Sequence, residues 1–198
     1  MNKLEGFAVI DMLIGSVPYN IKDAHLRVTE HVLQVLPDYE YPVAIICIGT
    51  DRVTGDAFGP LVGTFLTGYG IDCFGTLEKP VHAGNLERCL QTIHAESFIL
   101  AVDACLGTVN CVGRINCYRG AISPGSGVGK ELKPVGNAGL TMTVNVHGLL
   151  GNVALANTRL SLVYAGAQVA ALGIYRAIKL NKFAQRQETP AGLQVIGR

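Results

Sequence analysis

Residues 43–60, with the sequence VAIICIGTDRVTGDAFGP, decide the fold of this chain. Residues 43–48 are all apolar, which is typical of a strand buried on both faces of a parallel sheet. A polar, glycine-punctuated turn follows, and a helical pattern of apolar residues begins near Phe58. In an open α/β sheet, ligands bind where loops leave the carboxyl ends of the strands. Two carboxylates, Asp51 and Asp56, lie on such a loop here.

The composition indicates one folded domain. The chain has 198 residues, of which 49% are hydrophobic and 16% charged, so it can bury a proper core. The formal net charge of +1 gives no reason to expect nucleic acid or an anionic membrane as a partner. No apolar stretch has the length of a membrane span, and the first residues fit a secretion signal poorly. The six cysteines include no CxxC pair, and we expect reduced thiols in a cytoplasmic protein.

Strands and helices alternate along the chain. Apolar periodicity predicts strands over 43–48, 71–75, 97–104, 113–118 and 139–146, and helices over 23–36, 58–67, 85–94 and 148–156. Residues 119–137 are rich in glycine and proline and predict a loop. Residues 159–180 form either one long helix or a short strand followed by a helix. This alternation predicts a three-layer α/β/α sandwich with a mostly parallel sheet.

We expect residues 1–198 to form a single domain. Residues 1–41 comprise an N-terminal arm and a first helix with Asp23 as its N-cap, whereas 181–198 are predicted to fray. The segment 165–178 is rich in alanine and glycine. Such small residues permit close packing, either in the core or across a homodimer, and the sequence leaves both open.

Three ionisable residues end or follow predicted strands, namely Asp56, Asp103 and His147. If the strands are parallel neighbours, the three side chains converge on one edge of the sheet. Each residue could also have a purely structural role. Asp56 could cap a helix, Asp103 could cap the next turn, and His147 could be a core or cap histidine. Two adjacent carboxyls can share a proton and activate water, whereas two carboxylates and an imidazole can bind a divalent metal. The residues alone leave both chemistries open.

Other motifs are weaker. The segment 124–131, PGSGVGKE, has Pro124 and Glu131 where a phosphate-binding loop needs glycine and Ser or Thr. It also lacks the glycines of a serine-hydrolase nucleophile elbow. His82 follows the second predicted strand and is a further candidate for the same edge of the sheet.

Several segments together resemble the YyaC-type sporulation proteins, a family described as spore proteases. The resemblance spans roughly 42–179, and its motifs are GTDRVTGDAFGPLVGT (49–64), KPVHAGNL (79–86), ILAVDACLG (99–107), SPGSGVGKELKPVG (123–136) and NTRLSL (157–162). That family is similar to the germination proteases and, more remotely, to the hydrogenase maturation proteases. The resemblance implies their phosphorylase/hydrolase-like fold.

The resemblance also implies site residues. Asp56 and Asp103 fall where the germination proteases have essential aspartates. Asp56 and His147 fall where the maturation proteases have metal ligands, so Asp56, Asp103 and His147 are the candidate metal set. The glycine-rich segment implies substrate binding by Gly125, Ser126 and Gly127, with His82 nearby.

The function implied is that of an endopeptidase acting on a spore protein or peptide in the forespore or spore, with a paired-aspartate site and no required cofactor. One alternative is a maturation-type peptidase that depends on a divalent metal. Another is a non-catalytic sporulation protein that binds peptides on the same fold.

Overall fold

A computed structural model describes residues 12–37, 41–125, 132–148 and 150–188, with side chains up to Phe183. The strands are β1 (Met12–Pro18), β2 (Val43–Cys47), β3 (Phe98–Gly107), β4 (Arg114–Arg119) and β5 (Ala138–Val146). The helices are α1 (Ala24–Val35), α2 (Phe58–Gly68), α3 (Leu86–Thr92), α4 (Gly151–Ala156) and α5 (Leu160–Glu188). Short 3-10 turns cover Gly55–Ala57 and Val109–Cys111.

The five strands form one sheet in the order β1-β4-β5-β3-β2. Strands β2, β3 and β5 pair in parallel, whereas β4 runs antiparallel to both of its neighbours. Four of the five strands therefore run in the same direction, which confirms the predicted mostly parallel sheet. Nothing in the sequence predicted the reversed direction of β4.

Helices cover both faces of the sheet. On one face, alternate strand residues such as Ile45, Cys47 and Val102 pack in one core cluster with apolar residues of α1, α2 and α5. On the other face, Ile46 and Ala101 belong to a smaller cluster with residues of α3. This alternation along fully buried strands is what a central parallel sheet requires, and it confirms the three-layer α/β/α architecture.

Residues 160–188 form a single helix, which decides between the two predicted alternatives. Its segment Leu160–Phe183 is long and apolar enough to cross a membrane, but half of the most apolar window is buried inside the protein. Val163, Ala167, Ala170 and Ile174 are fully buried in the main core, as in the core helix of a soluble protein. The small residues of 165–178 therefore pack largely within the chain, and the homodimer stays a prediction.

Several predicted elements need correction. Residues 71–75 form no regular strand, because only Phe74 bridges to β2. Asp23 occupies the N-cap position of α1, but its side chain makes no capping hydrogen bond. Helix α5 extends to Glu188, into the segment that is predicted to fray. Part of the N-terminal arm is the edge strand β1, while residues 1–11 and 189–198 lie outside the described residues.

Candidate active site

The loop after β2 folds back on itself and presents Asp56. The Thr50 backbone N–H donates to the Asp56 carbonyl oxygen at 3.2 Å, which closes the loop. Asp56 then lies in the 3-10 turn that leads into α2. The N-cap position of α2 belongs to Ala57, so Asp56 is not positioned as the cap of that helix.

Asp103 lies in the middle of β3 and not at its tip as predicted, because the strand continues to Gly107. Its side chain is 6% exposed. One carboxyl oxygen accepts a hydrogen bond from the Ala104 backbone N–H at 2.9 Å, and the Gly125 backbone N–H also donates to the carboxyl. These two donors compensate only part of the cost of burying a carboxylate.

The two aspartates interact with each other. Burial raises the pKa of Asp103 well above its ordinary value, and the negative charge of nearby Asp56 raises it further, against the opposing hydrogen bonds from Ala104 and Gly125. Asp56 is less buried than Asp103. The arrangement therefore favours a proton on Asp103.

Both aspartates line an open cleft of about 650 Å³ at one edge of the sheet. Its walls combine charged residues with apolar ones. The charged residues besides the pair are Asp51, Arg52 and Glu78; the apolar ones include Val53, Leu77, Leu132 and Leu155. A cleft of this size and mixed character can hold a segment of polypeptide.

His82 and Gly125, two of the four predicted substrate-binding residues, also line the cleft. The Gly125 N–H also donates to Asp103 and so helps to position that acid. Ser126 and Gly127 lie outside the described residues. Ile48 and Val81 form a parallel bridge, and His82 follows directly at the cleft.

His147 is not brought to the pair. It is exposed, and its backbone N–H bonds the carbonyl of Gly107, four residues beyond Asp103 along β3. At about 3.3 Å per residue, four strand residues span about 13 Å. The predicted convergence assumed that Asp103 ends its strand. Because β3 and β5 both continue past that level, His147 lies beyond the cleft.

This geometry bears on the metal alternative. Within the described ranges, no group of three or more His, Cys, Asp or Glu side chains could hold a metal ion. Asp56 and Asp103 offer two carboxyls, but His147 is not placed as the third ligand. The predicted three-residue set does not fit a metal here, and whether the protein uses a cofactor stays open.

Helix α4 forms one wall of the cleft and is anchored to the sheet by Asn145. The Asn145 Nδ2 group donates to the Ala154 carbonyl at 2.8 Å and to the Thr158 Oγ1 atom at 3.2 Å. These bonds hold Asn152 and Leu155 at the cleft.

Cys105, which lies two residues beyond Asp103 on β3, is a poor nucleophile. Burial raises the pKa of Cys105, and the charge of Asp103 also contributes in that direction. The thiolate is the reactive form of cysteine, so a raised pKa disfavours covalent catalysis by this residue. In the described part of the cleft, the aspartate pair supplies groups for acid–base chemistry.

Sequence reasoning missed some of the cleft walls. Glu78, Asn152 and Leu155 follow no strand end and carry no motif, so no sequence signal assigned them to the site. Asp51, which the sequence places on the loop after β2, also lines the cleft.

A family model described as "Protein of unknown function (DUF1256)" matches residues 16–173. The chain belongs to this family. The uncharacterized protein YyaC of Bacillus subtilis strain 168 is 45% identical over 139 residues, which cover 67% of this chain and 68% of YyaC. This DUF1256 protein therefore has the predicted YyaC-type resemblance. Among solved structures, the NiFe hydrogenase maturation protease HybD from Thermococcus kodakarensis is similar at 14% identity and a TM-score of 0.41, over 75% of this chain and 99% of that one.

Proposed function

We propose that this DUF1256 protein is a peptidase in which Asp56 and Asp103 hydrolyse a peptide bond with one proton held between them. The observation that carries the proposal is the meeting of two carboxyls, one of them deeply buried, in a cleft that can admit a peptide. Like-charged carboxyls at close range cannot both ionise easily, and such pairs serve as acid and base in hydrolysis.

The two aspartates have different roles. Asp56, the more exposed and ionised member, removes a proton from water as the water oxygen attacks the peptide carbonyl carbon. The carbonyl oxygen becomes an oxyanion in the tetrahedral intermediate. Asp103 then gives its proton to the leaving nitrogen, the C–N bond breaks, and a carboxylic acid and an amine leave. Asp103 ends ionised and Asp56 protonated, and a proton exchange between them through water resets the pair.

The sequence resemblance supports the same pair, since Asp56 and Asp103 match the essential aspartates of the germination proteases. That resemblance also carries the more specific part of the proposal. The substrate would be a spore protein, cleaved in the cytoplasm of the forespore or spore.

The test is cleavage of a synthetic peptide library of diverse sequence by the full chain, with products identified by mass spectrometry. We expect cleavage by the wild type and a loss of about 100-fold or more in Asp56→Asn and in Asp103→Asn, as for removal of a general acid or base. Asp72→Asn is the matched control, because Asp72 is exposed and lies away from the cleft-lining residues. Full activity in Asp103→Asn would contradict the proposal.

The same assay addresses the two alternatives. Activity that is lost with a chelator and restored by a divalent metal would favour the metal-dependent peptidase. Binding of library peptides without any cleavage would favour the non-catalytic binding protein.

A further inference from the structure

We propose that the Nε2–H group of His82 donates the hydrogen bond that stabilises the oxyanion in this cleft. The inference rests on the proposed peptidase function. It assigns the hydrogen-bond donor to the oxyanion, a role that the aspartate pair does not fill. Asp103 must deliver its proton to the leaving nitrogen, so the carbonyl oxygen needs another donor.

The tautomer of His82 is fixed by its own loop. The Gly84 backbone N–H donates to His82 Nδ1 at 3.1 Å, so Nδ1 must act as an acceptor. In a neutral imidazole the proton then resides on Nε2, which becomes a hydrogen-bond donor. The ring lies close over Gly84, since a Cβ atom there would be 3.2 Å from His82 Cε1.

The position of His82 is fixed as well. Its backbone N–H donates to Asn85 Oδ1 at 2.8 Å, and Asn85 Nδ2 donates to the Pro80 carbonyl at 3.0 Å. On the other side, the Gly49 N–H donates to the Val81 carbonyl at 2.7 Å, which ties the loop to the end of β2. These bonds fix the backbone that carries the exposed His82 side chain, and the Gly84 N–H orients the ring itself. Donors that are oriented before the reaction are the most effective in catalysis.

Some backbone groups among the described cleft residues are already engaged and are not free to fill the same role. In the described part of the cleft, many backbone N–H groups already have acceptors within the protein. These are the N–H groups of Gly49, Thr50, Arg52, His82, Gly84 and Gly125. An oxyanion hole made of these groups would require breaking existing hydrogen bonds. The His82 Nε2–H needs no such change, because the existing bond from the Gly84 N–H to Nδ1 places the proton on Nε2.

The experiment compares His82→Leu with His82→Gln on the best-cleaved library peptide. Leu removes the donor, and Gln places an amide N–H near the Nε2 position. We expect kcat to fall about 100- to 1,000-fold in His82→Leu with KM changed less than about threefold, and at least about tenfold of the loss to be recovered in His82→Gln. His94→Leu is the matched control, because His94 Nδ1 accepts from the Glu96 N–H at 3.3 Å in the same local pattern, away from the cleft-lining residues.

Long-range ¹⁵N–¹H NMR of the imidazoles provides a readout that does not depend on turnover. If the neutral His82 ring carries its proton on Nε2 and none on Nδ1, the inference is supported. The opposite tautomer overturns it. If Asp103→Asn is inactive but His82→Leu is fully active, the inference fails while the peptidase stands. If the wild type cleaves nothing, both fail.

Discussion

A Cβ atom on residue 49 would clash with the Asp56 backbone carbonyl oxygen, so Gly49 and Asp56 fit together only because Gly49 has no side chain. Gly49 also has a φ of +140°, a conformation that residues with a side chain rarely adopt. The loop that carries Asp56, the candidate general base, therefore depends on Gly49, seven residues before Asp56.

Replacing Gly49 with alanine should move Asp56 and destabilise the protein. We expect the free energy of unfolding to fall by about 2–4 kcal/mol, from backbone strain and the clash with Asp56, as measured by urea denaturation. Gly68→Ala is the control, because Gly68 lies in α2 with nothing within 4 Å of an added Cβ atom. A Gly49→Ala protein as stable as the control would contradict this account of the loop.

The buried carboxyl of Asp103 should make stability depend on pH. Its native-state pKa is raised above the ordinary value of 3.8, so the native state binds the proton more tightly than the unfolded chain. The stability that this proton contributes is therefore fully present below the ordinary pKa of 3.8. That contribution is lost as the pH rises through the raised pKa of Asp103. Asparagine has no such proton, so Asp103→Asn should gain stability over the wild type by about 1.4 kcal/mol for each pH unit in that window.

Urea unfolding of both proteins between about pH 4 and pH 8 measures this difference. The Asp72→Asn variant removes an exposed carboxyl and should change stability by less than about 0.5 kcal/mol at any pH. A difference between wild type and Asp103→Asn that stays constant with pH would show that Asp103 has an ordinary pKa.

Removing the Asn145 side chain should detach α4 from the sheet. Asn145→Ala loses the hydrogen bonds to Ala154 and Thr158, and we expect a cost of about 1–3 kcal/mol together with a raised KM for peptide. Asn157→Ala is the control, since Asn157 is exposed and bonds only within the adjacent helical turn, to the Val153 carbonyl. Equal unfolding free energies for the two variants would contradict the claim that Asn145 anchors α4 to the sheet.

Cys73 should be the most reactive thiol near neutral pH. A hydrogen bond from Cys47 lowers the pKa of Cys73 to about 7, with a smaller contribution from Thr67, whereas burial raises the pKa of Cys117 to about 12. Alkylation by iodoacetamide, followed residue by residue with mass spectrometry, should therefore give Cys73 a midpoint near pH 7. In Cys47→Ala the donor is lost, and the midpoint should rise towards 9.0, the ordinary value. Identical alkylation midpoints of Cys73 in the wild type and in Cys47→Ala would contradict a hydrogen bond from Cys47 to Cys73.

The sequence predicted the parts of the site that follow from strand burial. The apolar run 43–48 identifies β2, and Asp56 on the next loop follows from the rule that sites lie at the carboxyl ends of parallel strands. The apolar run before Asp103 likewise identifies β3, although Asp103 was predicted to end that strand. These predictions succeed because a central strand must be apolar on both faces.

The rest depends on where strands end and how loops pack. Strand β3 continues past Asp103 because residues 104–107 keep pairing with β5, and no periodicity distinguishes that from a loop. The placement of His147 was wrong for this reason. The orientation of the His82 ring depends on a hydrogen bond from the Gly84 backbone N–H that only coordinates reveal.

The interaction between Asp56 and Asp103 is tested most directly by the pKa of Asp103, followed through its side-chain ¹³C carboxyl resonance in the wild type and in Asp56→Asn. We predict a pKa well above 3.8 in the wild type and a lower one in Asp56→Asn, still above 3.8 because burial remains. A wild-type Asp103 that titrates near 3.8, or one whose titration is unchanged by Asp56→Asn, would contradict the shared-proton site.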